Sequence, residues 1–379
     1  MTKSIAAPRV DREAGRAYWL MVLPAFLAYV LVMGFPIVLS IVLSLSDFNG
    51  GKMFGGAPWS ITGFQQYSKI LADPYFWSAL KNNFYIVLVS VFGQLPLGFV
   101  FAYVIYRRIV KWPDFWQGIL YVPNIISVIV VGILWQTIFS PYGPLADIIN
   151  GLSRRDFLAH LAPLLGGSGP VAVGDDLVSR ILAAVGPTGV AAAHFASPAA
   201  DLKDILISLG SVGPKEMLET LANLFAPKWT ADFLSIPDLA MLPILFVILW
   251  MYTGMYLILF LANMQKIDTQ LIEAARIDGA HEGQVMRYII LPALSGTIVN
   301  SAILAISGSL SSFALVWAMT GGGPSRITHI LAIYMYDSAF RGAPQYPLAN
   351  AIALVMVLIS FALIGVTKIV EKRFGGKEE

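Results

Sequence analysis

The chain has 379 residues, of which 57% are hydrophobic and 13% are charged, and its net charge is +2. Soluble domains are usually about half apolar and about a quarter charged, so most of this protein's surface must face something other than water. The nearly balanced charge gives no support to a nucleic-acid partner. The sequence contains no cysteine, which excludes disulfides and thiolate metal sites, and its four histidines are too scattered to suggest a metal cluster.

Six long stretches of the sequence carry no charged residue. Each is longer than the roughly 20 apolar residues that are needed to cross about 30 Å of hydrocarbon. They are residues 17–46, 82–106, 115–146, 239–265, 288–325 and 342–367. A soluble core accounts for one buried helix of this kind but not for six, so the sequence predicts an all-α polytopic membrane protein with six transmembrane helices. Prolines inside these windows, among them Pro36 and Pro96, indicate bent helices around a pathway or simple packing kinks.

The first apolar window is predicted to remain in the mature protein. It is too long for the apolar core of a signal peptide, and no Ala-x-Ala-type cleavage site follows it. Arg9, Arg12 and Arg16 precede this window and are typical of an anchor on the inner side of the membrane.

Basic residues are distributed unequally between the two sides that six spans define. If the amino terminus is cytosolic, the short inner segments hold fourteen of the 25 lysines and arginines. The short outer loops then hold only Lys52, Lys69, Lys81, Arg326 and Arg341. By the positive-inside rule, this distribution predicts a multi-pass protein of the cytoplasmic (inner) membrane with both termini in the cytosol.

The apolar windows also predict the organisation of the chain. A cytosolic segment (1–16) precedes spans one to three (17–146), an extracytoplasmic insertion (147–236) follows, and spans four to six (237–370) lead to a cytosolic tail (371–379). The insertion combines Gly- and Pro-rich runs with short amphipathic stretches of helical period. It is predicted to be a small helical subdomain or a set of helices along the membrane surface, and a loosely ordered insertion without a task is the alternative.

The third inner segment, residues 263–291, carries the most informative pattern of the sequence. The pattern predicts a turn followed by a helix over Thr269–Ile277, whose first residue is the candidate N-cap, and then a second helix over Ala280–Ile290. Gly279 between them permits a tight turn, and Pro292 suits the start of span five. Two short helices that meet at a glycine form a compact knob at the cytosolic surface.

The side chains of the first of these helices suit it to docking in a groove. Ala274 and Ala275 keep the helix narrow, whereas Glu273, Arg276 and Asp278 can set its register through ion pairs. A knob of this kind can transmit movement to the spans only if it is rigid and is docked in a structure that itself moves.

The spacing of these residues resembles that of a known family. Glu273-Ala274-Ala275, then Gly279 after three residues, and Ile289-x-Leu291-Pro292 after nine more match the EAA loop of the permeases of binding-protein-dependent ABC importers. An amphipathic interfacial loop would explain the amphipathicity but not the fixed spacing. In that family the loop holds the coupling helix that docks into a cleft of the ATPase subunit. The resemblance implies this role for Glu273, Ala274, Ala275, Arg276, Asp278, Gly279, Leu291 and Pro292.

A second segment, Met319–Phe340, is similar to the maltose-type carbohydrate permeases of the same family. It contains Thr-Gly-Gly-Gly-Pro followed by Tyr-x-Tyr-x-x-Ala-Phe. An ordinary outer turn would explain the glycines equally well, so the assignment to sugars follows from the resemblance alone. The resemblance covers about residues 17–373 and implies the type I ABC importer fold. One departure is the insertion, since family members connect spans three and four through a short loop whereas about 80 residues intervene here.

The resemblance also implies an assembly of several chains. We expect a heterodimer with a second permease subunit, two ATPase subunits and an extracytoplasmic solute-binding protein. The insertion is expected to contact either the binding protein or the outer rim of the partner permease. The sequence lacks a G-x-x-x-x-G-K-[ST] phosphate loop, so ATP and Mg²⁺ are expected on the ATPase and no cofactor in this chain. The chain is therefore predicted to be a transport subunit and not an enzyme. When the ATPase subunits close around ATP, they would move the knob. The bundle of six helices would then change the side of the membrane to which its pathway opens, from inside to outside.

Polar residues within the apolar spans are the candidates for the solute path, which is expected near the bilayer midplane. Aromatic faces suit sugar rings, although aromatic residues of membrane proteins more often anchor at the interface. Polar groups in spans more often form hydrogen bonds between helices. The candidates are Gln94, Asn124, Tyr252, Asn300, Ser307, Ser311, Ser312 and Trp317.

Two other functional classes fit the sequence less well. An ion-coupled secondary transporter normally needs carboxylates within the membrane, and the six windows contain none. An intramembrane hydrolase needs a catalytic motif, and no Gly-x-Ser-x-Gly, HExxH or paired intramembrane Asp occurs. An ABC importer for an oligopeptide, a polyamine or an ion stays open as the alternative to a sugar importer.

Overall fold

The computed structural model describes residues 12–51, 59–151, 233–237 and 239–374. Within these ranges the protein is helical, and the β-structure there consists of an isolated antiparallel bridge between Ser46 and Ile61. The all-α prediction is therefore confirmed. Most of the predicted insertion and both extreme ends of the chain lie outside the described residues.

The helices fall into two groups along the chain. The first group comprises Arg12–Tyr29, Phe35–Ser44, Gln65–Ala72, Pro74–Val89, Leu95–Tyr106, Pro113–Ile125 and Val128–Phe139, with further helical residues at 144–151. The second group comprises Met241–Met264, Thr269–Ile277, Glu282–Val285, Leu291–Ala293, Ser295–Leu310, Phe313–Thr320, Leu331–Phe340 and Tyr346–Phe374. Short π-helical segments occur at Val30–Gly34, Ser90–Gln94 and Met286–Ile290.

Five helices of the described chain are long and apolar enough to cross a membrane, and a bent pair of helices makes a sixth if it is counted as one span. We number these spans 1 to 6 in chain order: Tyr18–Ser44, Pro74–Tyr106, Val128–Gly151, Met241–Met264, Glu282–Ala293 with Ser295–Leu310, and Tyr346–Ile369. The two parts of span 5 meet at an angle of 66°. Each span overlaps one of the six charge-free windows.

The three π-helical segments share one cause. Each of them ends two residues before a proline: Gly34 precedes Pro36, Gln94 precedes Pro96, and Ile290 precedes Pro292. A proline ring has no N–H to donate and clashes with the carbonyl of the preceding turn, and a wider turn relieves that clash. The prolines of spans 1, 2 and 5 are thus accommodated by local widening of the helix.

Two of the predicted windows are broken in the structure. Helix Pro113–Ile125 ends at Ile126, which has an extended backbone with ψ 144°, and the next helix begins after Ser127. The window that begins at residue 288 bends at Leu294 and is interrupted again at Ser311 before helix Phe313–Thr320. Hydropathy reports only the free energy of transfer into lipid, so it does not reveal a change of backbone direction inside an apolar stretch.

The described residues form two compact units. Residues up to 126, residues 248–317 and residues from 325 onward belong to the first unit, and residues 127–247 and 318–324 belong to the second. In the first unit, a buried cluster joins spans 2 and 4 to the helix that precedes span 5 and to the first part of span 5, through Ala102, Phe260, Ile272, Val285 and others.

Span 2 approaches span 4 very closely within the first unit. A Cβ atom added to Gly98 would lie 2.7 Å from the Cβ of Tyr256 and 3.0 Å from the backbone nitrogen of Leu257. Real side-chain atoms do not pack at such distances, so this crossing requires glycine. Small residues at a helix crossing let two backbones approach closely. In lipid this close packing stabilises the helix pair, because the hydrophobic effect does not drive helices together there.

Two asparagines in span 2 hold residues 327–331, which we call the outer segment because the sequence prediction places them on the outer side. The side-chain nitrogen of Asn82 donates to the carbonyls of Ile327 and His329, each at 2.8 Å. The side-chain oxygen of Asn83 accepts from the backbone N–H of Leu331 at 2.7 Å. Leu331 is fully buried and begins a helix, so its N–H has no helical acceptor and depends on Asn83.

We expect Asn83→Ala to lower the free energy of unfolding by about 1–3 kcal/mol, because it leaves the buried N–H of Leu331 without an acceptor. The measurement is thermal unfolding of the detergent-solubilised protein. Gln65→Ala removes an exposed amide side chain and serves as the control, with an expected change below about 0.5 kcal/mol. Equal melting temperatures for the two variants would contradict the assignment.

His329 in the outer segment is buried among charged groups. Its side chain is 5% exposed, and its Nε2 atom lies 3.5 Å from a carboxylate oxygen of Asp337, whose other oxygen lies 3.3 Å from Nε of Arg341. Burial lowers the pKa of His329 below its ordinary value; the charge of Asp337 opposes this shift, and the charges of Arg326 and Arg341 add to it. The neutral imidazole is therefore the form that the folded protein favours.

This lowered pKa predicts the direction of a pH effect on stability. A histidine of the unfolded chain has a pKa of about 6.5, so below that pH the unfolded chain binds a proton that the folded protein resists. The stabilisation is complete above pH 6.5 or so and is lost as the pH falls. We expect the melting temperature to drop more between pH 7.5 and 5.5 for the wild type than for His329→Gln, as measured by thermal unfolding. Parallel pH profiles for the two proteins would contradict this expectation.

Candidate functional site

The inner segment, residues 263–291, has the helix–turn–helix form that its sequence predicts. Its first helix spans Thr269–Ile277, as expected, but the N-cap is Asp268 and not Thr269. Asp268 has an extended backbone, and its side chain accepts a hydrogen bond from the N–H of Gln270 at 2.9 Å. Thr269 already has a helical conformation, so its hydroxyl cannot take the capping position.

The turn lies at Gly279, as the sequence predicts. Gly279 has φ +88°, a left-handed conformation that favours glycine, and the N–H of Ala280 donates to the carbonyl of Ala275 at 2.9 Å. The second helix begins at Glu282 and not at Ala280. Its cap is His281, whose Nδ1 accepts from the N–H of Gln284 at 3.3 Å while the Gln284 side chain accepts from the N–H of His281 at 2.9 Å. Histidine is an uncommon cap, which explains why the sequence prediction placed this boundary two residues early.

One face of the inner segment is buried and the opposite face is exposed. Ile272 and Val285 are 5% and 1% exposed and belong to the same cluster as Ala102 and Phe260. On the opposite face, Ile277 is 86% exposed. The exposed members of the predicted coupling set are Glu273, Ala274, Arg276, Asp278, Gly279 and Pro292, whereas Ala275 and Leu291 are half-buried.

A shallow groove lies on the exposed side of the turn. Its volume is about 310 Å³, and it is lined by Ala275, Asp278, Gly279, Ala280, Gln284, Val285, Tyr288 and Ile289. The segment thus presents a narrow helix and a groove on one side, and it is fastened to the spans by the buried side. A rigid and exposed knob of this form suits docking with another chain.

Ion pairs connect the inner segment to span 2 through a residue that the sequence pattern did not identify. Glu282 pairs with Arg276 at 3.2 Å and with Arg107 at 2.7 Å. Of the three charged residues that were expected to set the register, Arg276 does so; Glu273 and Asp278 form no ion pair within the described part of the chain. The motif marks Arg276 but gives no signal for Glu282, because Arg107, the partner of Glu282 at the end of span 2, is distant in sequence.

A cavity of about 210 Å³ lies between spans 2, 4 and 5 of the first unit. Three of the predicted path residues, Gln94, Tyr252 and Ser312, line it. The side-chain nitrogen of Gln94 donates to the carbonyl of Ile248 at 2.8 Å, which fixes this amide on the cavity wall. The cavity is also lined by Ile86, Ser90, Ile248, Met255, Tyr256, Leu304, Ala305, Gly308 and Ser309, none of which the sequence prediction included.

The other five predicted path residues do not line this cavity. Asn124 is half-buried in helix Pro113–Ile125. Trp317 stacks on Phe313 at 5.4 Å and meets the ring of Tyr336 at 5.0 Å, with the guanidinium group of Arg341 4.7 Å above its ring. The remaining three, Asn300, Ser307 and Ser311, are exposed.

These exposed residues lie on one helical face. Their spacing of seven and four residues, with the exposed Leu304 between them, corresponds to a single side of helix Ser295–Leu310 and its cap. A polar face on an apolar helix is unfavourable against lipid, so this side suits a protein partner or a water-filled path.

A separate cavity of about 460 Å³ lies within the second unit. It is lined by Gln136, Thr137, Ser140, Leu234, Ser235, Met319, Thr320, Gly323 and Pro324. The Thr-Gly-Gly-Gly-Pro motif therefore contributes to the wall of a polar cavity and not only to a connecting turn. Among the described residues, no group of three or more His, Asp or Glu side chains is placed to hold a metal ion.

Comparison with known proteins adds to this geometry. Residues 94–376 match the family model of the binding-protein-dependent transport system inner membrane component. The multiple sugar-binding transport system permease protein MsmF of Streptococcus mutans is 24% identical, over 91% of this chain and 93% of its own. The lactose transport system permease protein LacF of Rhizobium radiobacter is also 24% identical, over 90% of this chain and 89% of its own.

A solved structure shares the fold. It is a bacterial ABC transporter involved in the import of the acidic polysaccharide alginate, and one of its chains matches with a TM-score of 0.61 and 18% sequence identity. The match covers 96% of this chain and 97% of that chain. The two chains thus share a fold.

Proposed function

The chain belongs to the family of binding-protein-dependent transport system inner membrane components, and from this premise we propose that it is the membrane-spanning permease subunit of an ATP-driven sugar importer. The observation that carries the proposal is the inner segment. Its exposed face bears the Glu-Ala-Ala pattern, while its buried face packs in the same cluster as the spans that line the cavity of about 210 Å³.

In this function the exposed face of helix Thr269–Ile277 docks in a cleft of a separate ATPase subunit. Ala274 keeps the contact narrow, Glu273 and Asp278 supply charge at its rim, and the exposed Ile277 supplies apolar area. ATP and Mg²⁺ bind to the ATPase, since the sequence of this chain has no phosphate loop. Movement of the ATPases then shifts the inner segment, and the spans packed on it change between two arrangements.

The cavity between spans 2, 4 and 5 is the place proposed for the solute. Tyr252 and Tyr256 offer aromatic surfaces, and Ser90, Gln94 and the serines of span 5 offer hydrogen-bonding groups. Sugars present both apolar ring faces and hydroxyl groups, which this combination suits. The volume of about 210 Å³ is below the roughly 300–1,000 Å³ that encloses a drug-sized ligand, so the cavity suits one ring of a saccharide at a time.

The remaining parts of the proposal concern partners and orientation. The exposed polar face of Asn300, Ser307 and Ser311 is proposed to meet a second permease subunit or the path between the two. A second ATPase subunit and an extracytoplasmic solute-binding protein complete the assembly. The excess of basic residues in the inner segments supports a location in the cell membrane with both termini cytosolic.

The proposal is tested by uptake into vesicles that contain the assembled complex with its binding protein. We expect ATP-dependent uptake of at least one labelled sugar among lactose, maltose and maltotriose, and a loss of roughly tenfold or more in Tyr252→Ala, because the stacking surface is removed. Uptake of labelled spermidine or a tripeptide, without uptake of any sugar, would establish the non-sugar alternative instead. Uptake that is driven by an ion gradient without ATP would contradict an importer of this type.

Gly279→Val tests the docking role of the inner segment. A β-branched residue is strained at φ +88°, so the turn must rearrange and the two helices lose their relative orientation. We expect the protein to remain in the membrane while sugar uptake falls roughly tenfold or more for each ATP hydrolysed. Gly118→Ala is the control, since its added methyl group meets nothing within 4 Å. Normal uptake by Gly279→Val would count against docking through this turn.

A further inference from the structure

We propose that Glu282 is a positioning residue that fastens the inner segment to the inner end of span 2, so that movement of the segment reaches the wall of the solute cavity. The inference rests on the proposed function, in which the ATPase moves the inner segment. Glu282 lies outside the Glu-Ala-Ala motif, and its role follows from its contacts.

The carboxylate of Glu282 joins two different parts of the fold. One oxygen lies 2.7 Å from Nη2 of Arg107 and 3.2 Å from Nη2 of Arg276. The other oxygen accepts a hydrogen bond from the hydroxyl of Tyr103 at 3.2 Å. Tyr103 and Arg107 lie at the end of span 2, whereas Arg276 lies on the helix proposed to dock with the ATPase. A single carboxylate therefore accepts from both parts at once.

The backbone that carries Glu282 is held in place. Glu282 is the first residue of its helix, directly after the reciprocal hydrogen bonds between His281 and Gln284. Val285 in the same turn is 1% exposed and belongs to the buried cluster. The carboxylate thus projects from a fixed position, which a device that transmits movement requires.

The exposure of these side chains indicates that their ion pairs can orient the segment without contributing much to the free energy of folding. The side chains of Glu282, Arg276 and Arg107 are 52%, 37% and 25% exposed. Ion pairs with this access to water contribute little to folding, whereas burial of Ile272 and Val285 attaches the segment. Loss of the carboxylate is therefore expected to leave the fold intact and to remove the directional, hydrogen-bonded link to span 2, while the apolar contact at Ala102 remains.

Span 2 connects this link to the cavity. Helix Leu95–Tyr106 runs without a break from the cavity residue Gln94 to Tyr103 and Arg107. Twelve helical residues extend about 18 Å at about 1.5 Å each. A helix of this length moves as a rod, so a displacement at Arg107 reaches Gln94 on the cavity wall and, through the continuous π-helical segment Ser90–Gln94, also reaches Ser90.

Movement of the inner segment can also be transmitted to the spans through contacts that do not involve Glu282. Helix Thr269–Ile277 leads through the turn directly into span 5, which begins at Glu282, and the buried cluster joins Ile272 to residues of spans 2 and 4, among them Ala102 and Phe260. Without the carboxylate, movement would still reach spans 4 and 5, whereas span 2 would keep only its apolar contact with the cluster, which does not fix its position along the segment. The expected defect is therefore confined to the wall that span 2 provides.

The experiment follows the accessibility of that wall in the assembled complex. The chain has no cysteine, so Ser90→Cys introduces a single thiol on the cavity lining when the partner subunits are free of cysteine. The probe is a small cationic methanethiosulfonate, and its labelling rate is measured without nucleotide and with bound ATP. With Glu282 present, we expect ATP to change the rate by about fivefold or more.

In Glu282→Ala, we expect the ATP-dependent change to shrink to about twofold or less while ATP hydrolysis continues. Arg107→Ala should have the same effect, and the double variant should show no further loss, because both substitutions break one link. Glu282→Asp should recover part of the change. Asp114→Ala removes an exposed carboxylate at the start of helix Pro113–Ile125 and serves as the control that keeps the full change.

The outcomes separate the inference from the proposed function. If Glu282→Ala keeps the full ATP-dependent change, the role of Glu282 is wrong and the proposed function stands. If ATP does not change the labelling rate of Ser90→Cys although Glu282 is intact and ATP is hydrolysed, the proposed coupling is wrong, and the proposed role of Glu282 is then wrong as well. Loss of the assembled complex in both Glu282→Ala and Arg107→Ala would assign the carboxylate a structural role in place of positioning.

Discussion

Burial of Ile272 and Val285 in the cluster that contains Ala102 and Phe260 is the interaction on which the rest of the architecture depends. It places a polar helix–turn–helix against apolar membrane spans by shielding one face from water and leaving the other face open to a partner. Without this packing, the exposed residues of the inner segment would have no fixed relation to the cavity. The hydrophobic contact attaches the segment, and the directional contacts of Glu282 orient it.

Proline determines where the spans depart from straight helices. In spans 1, 2 and 5 a π-helical turn ends two residues before the ring, so the widened turn lies at a defined depth in each span. In span 2 this turn contains Ser90 and Gln94, and both line the cavity. The wider turn before Pro96 thus coincides with polar side chains on the wall between the spans, where they can be hydrated or can meet a solute.

Polar side chains also determine the position of the outer segment. Asn82 and Asn83 satisfy backbone groups that no helix pairs, and His329 is buried beside Asp337. Within span 2, the contacts of Asn82 and Asn83 end in backbone groups.

The sequence by itself determined the apolar spans, the helix Thr269–Ile277 and the turn at Gly279, because transfer into lipid, helical period and left-handed φ depend on local residue types. It also identified Gln94, Tyr252 and Ser312, since a polar group in an apolar span stands out wherever the helix lies. The contact between Arg107 and Glu282 joins residues 175 positions apart, and the break at Ile126 and the roles of Ser90 and Ser309 depend on neighbouring helices. Only the tertiary structure decided these, because which side of each helix faces which neighbour is set by packing between distant parts of the chain.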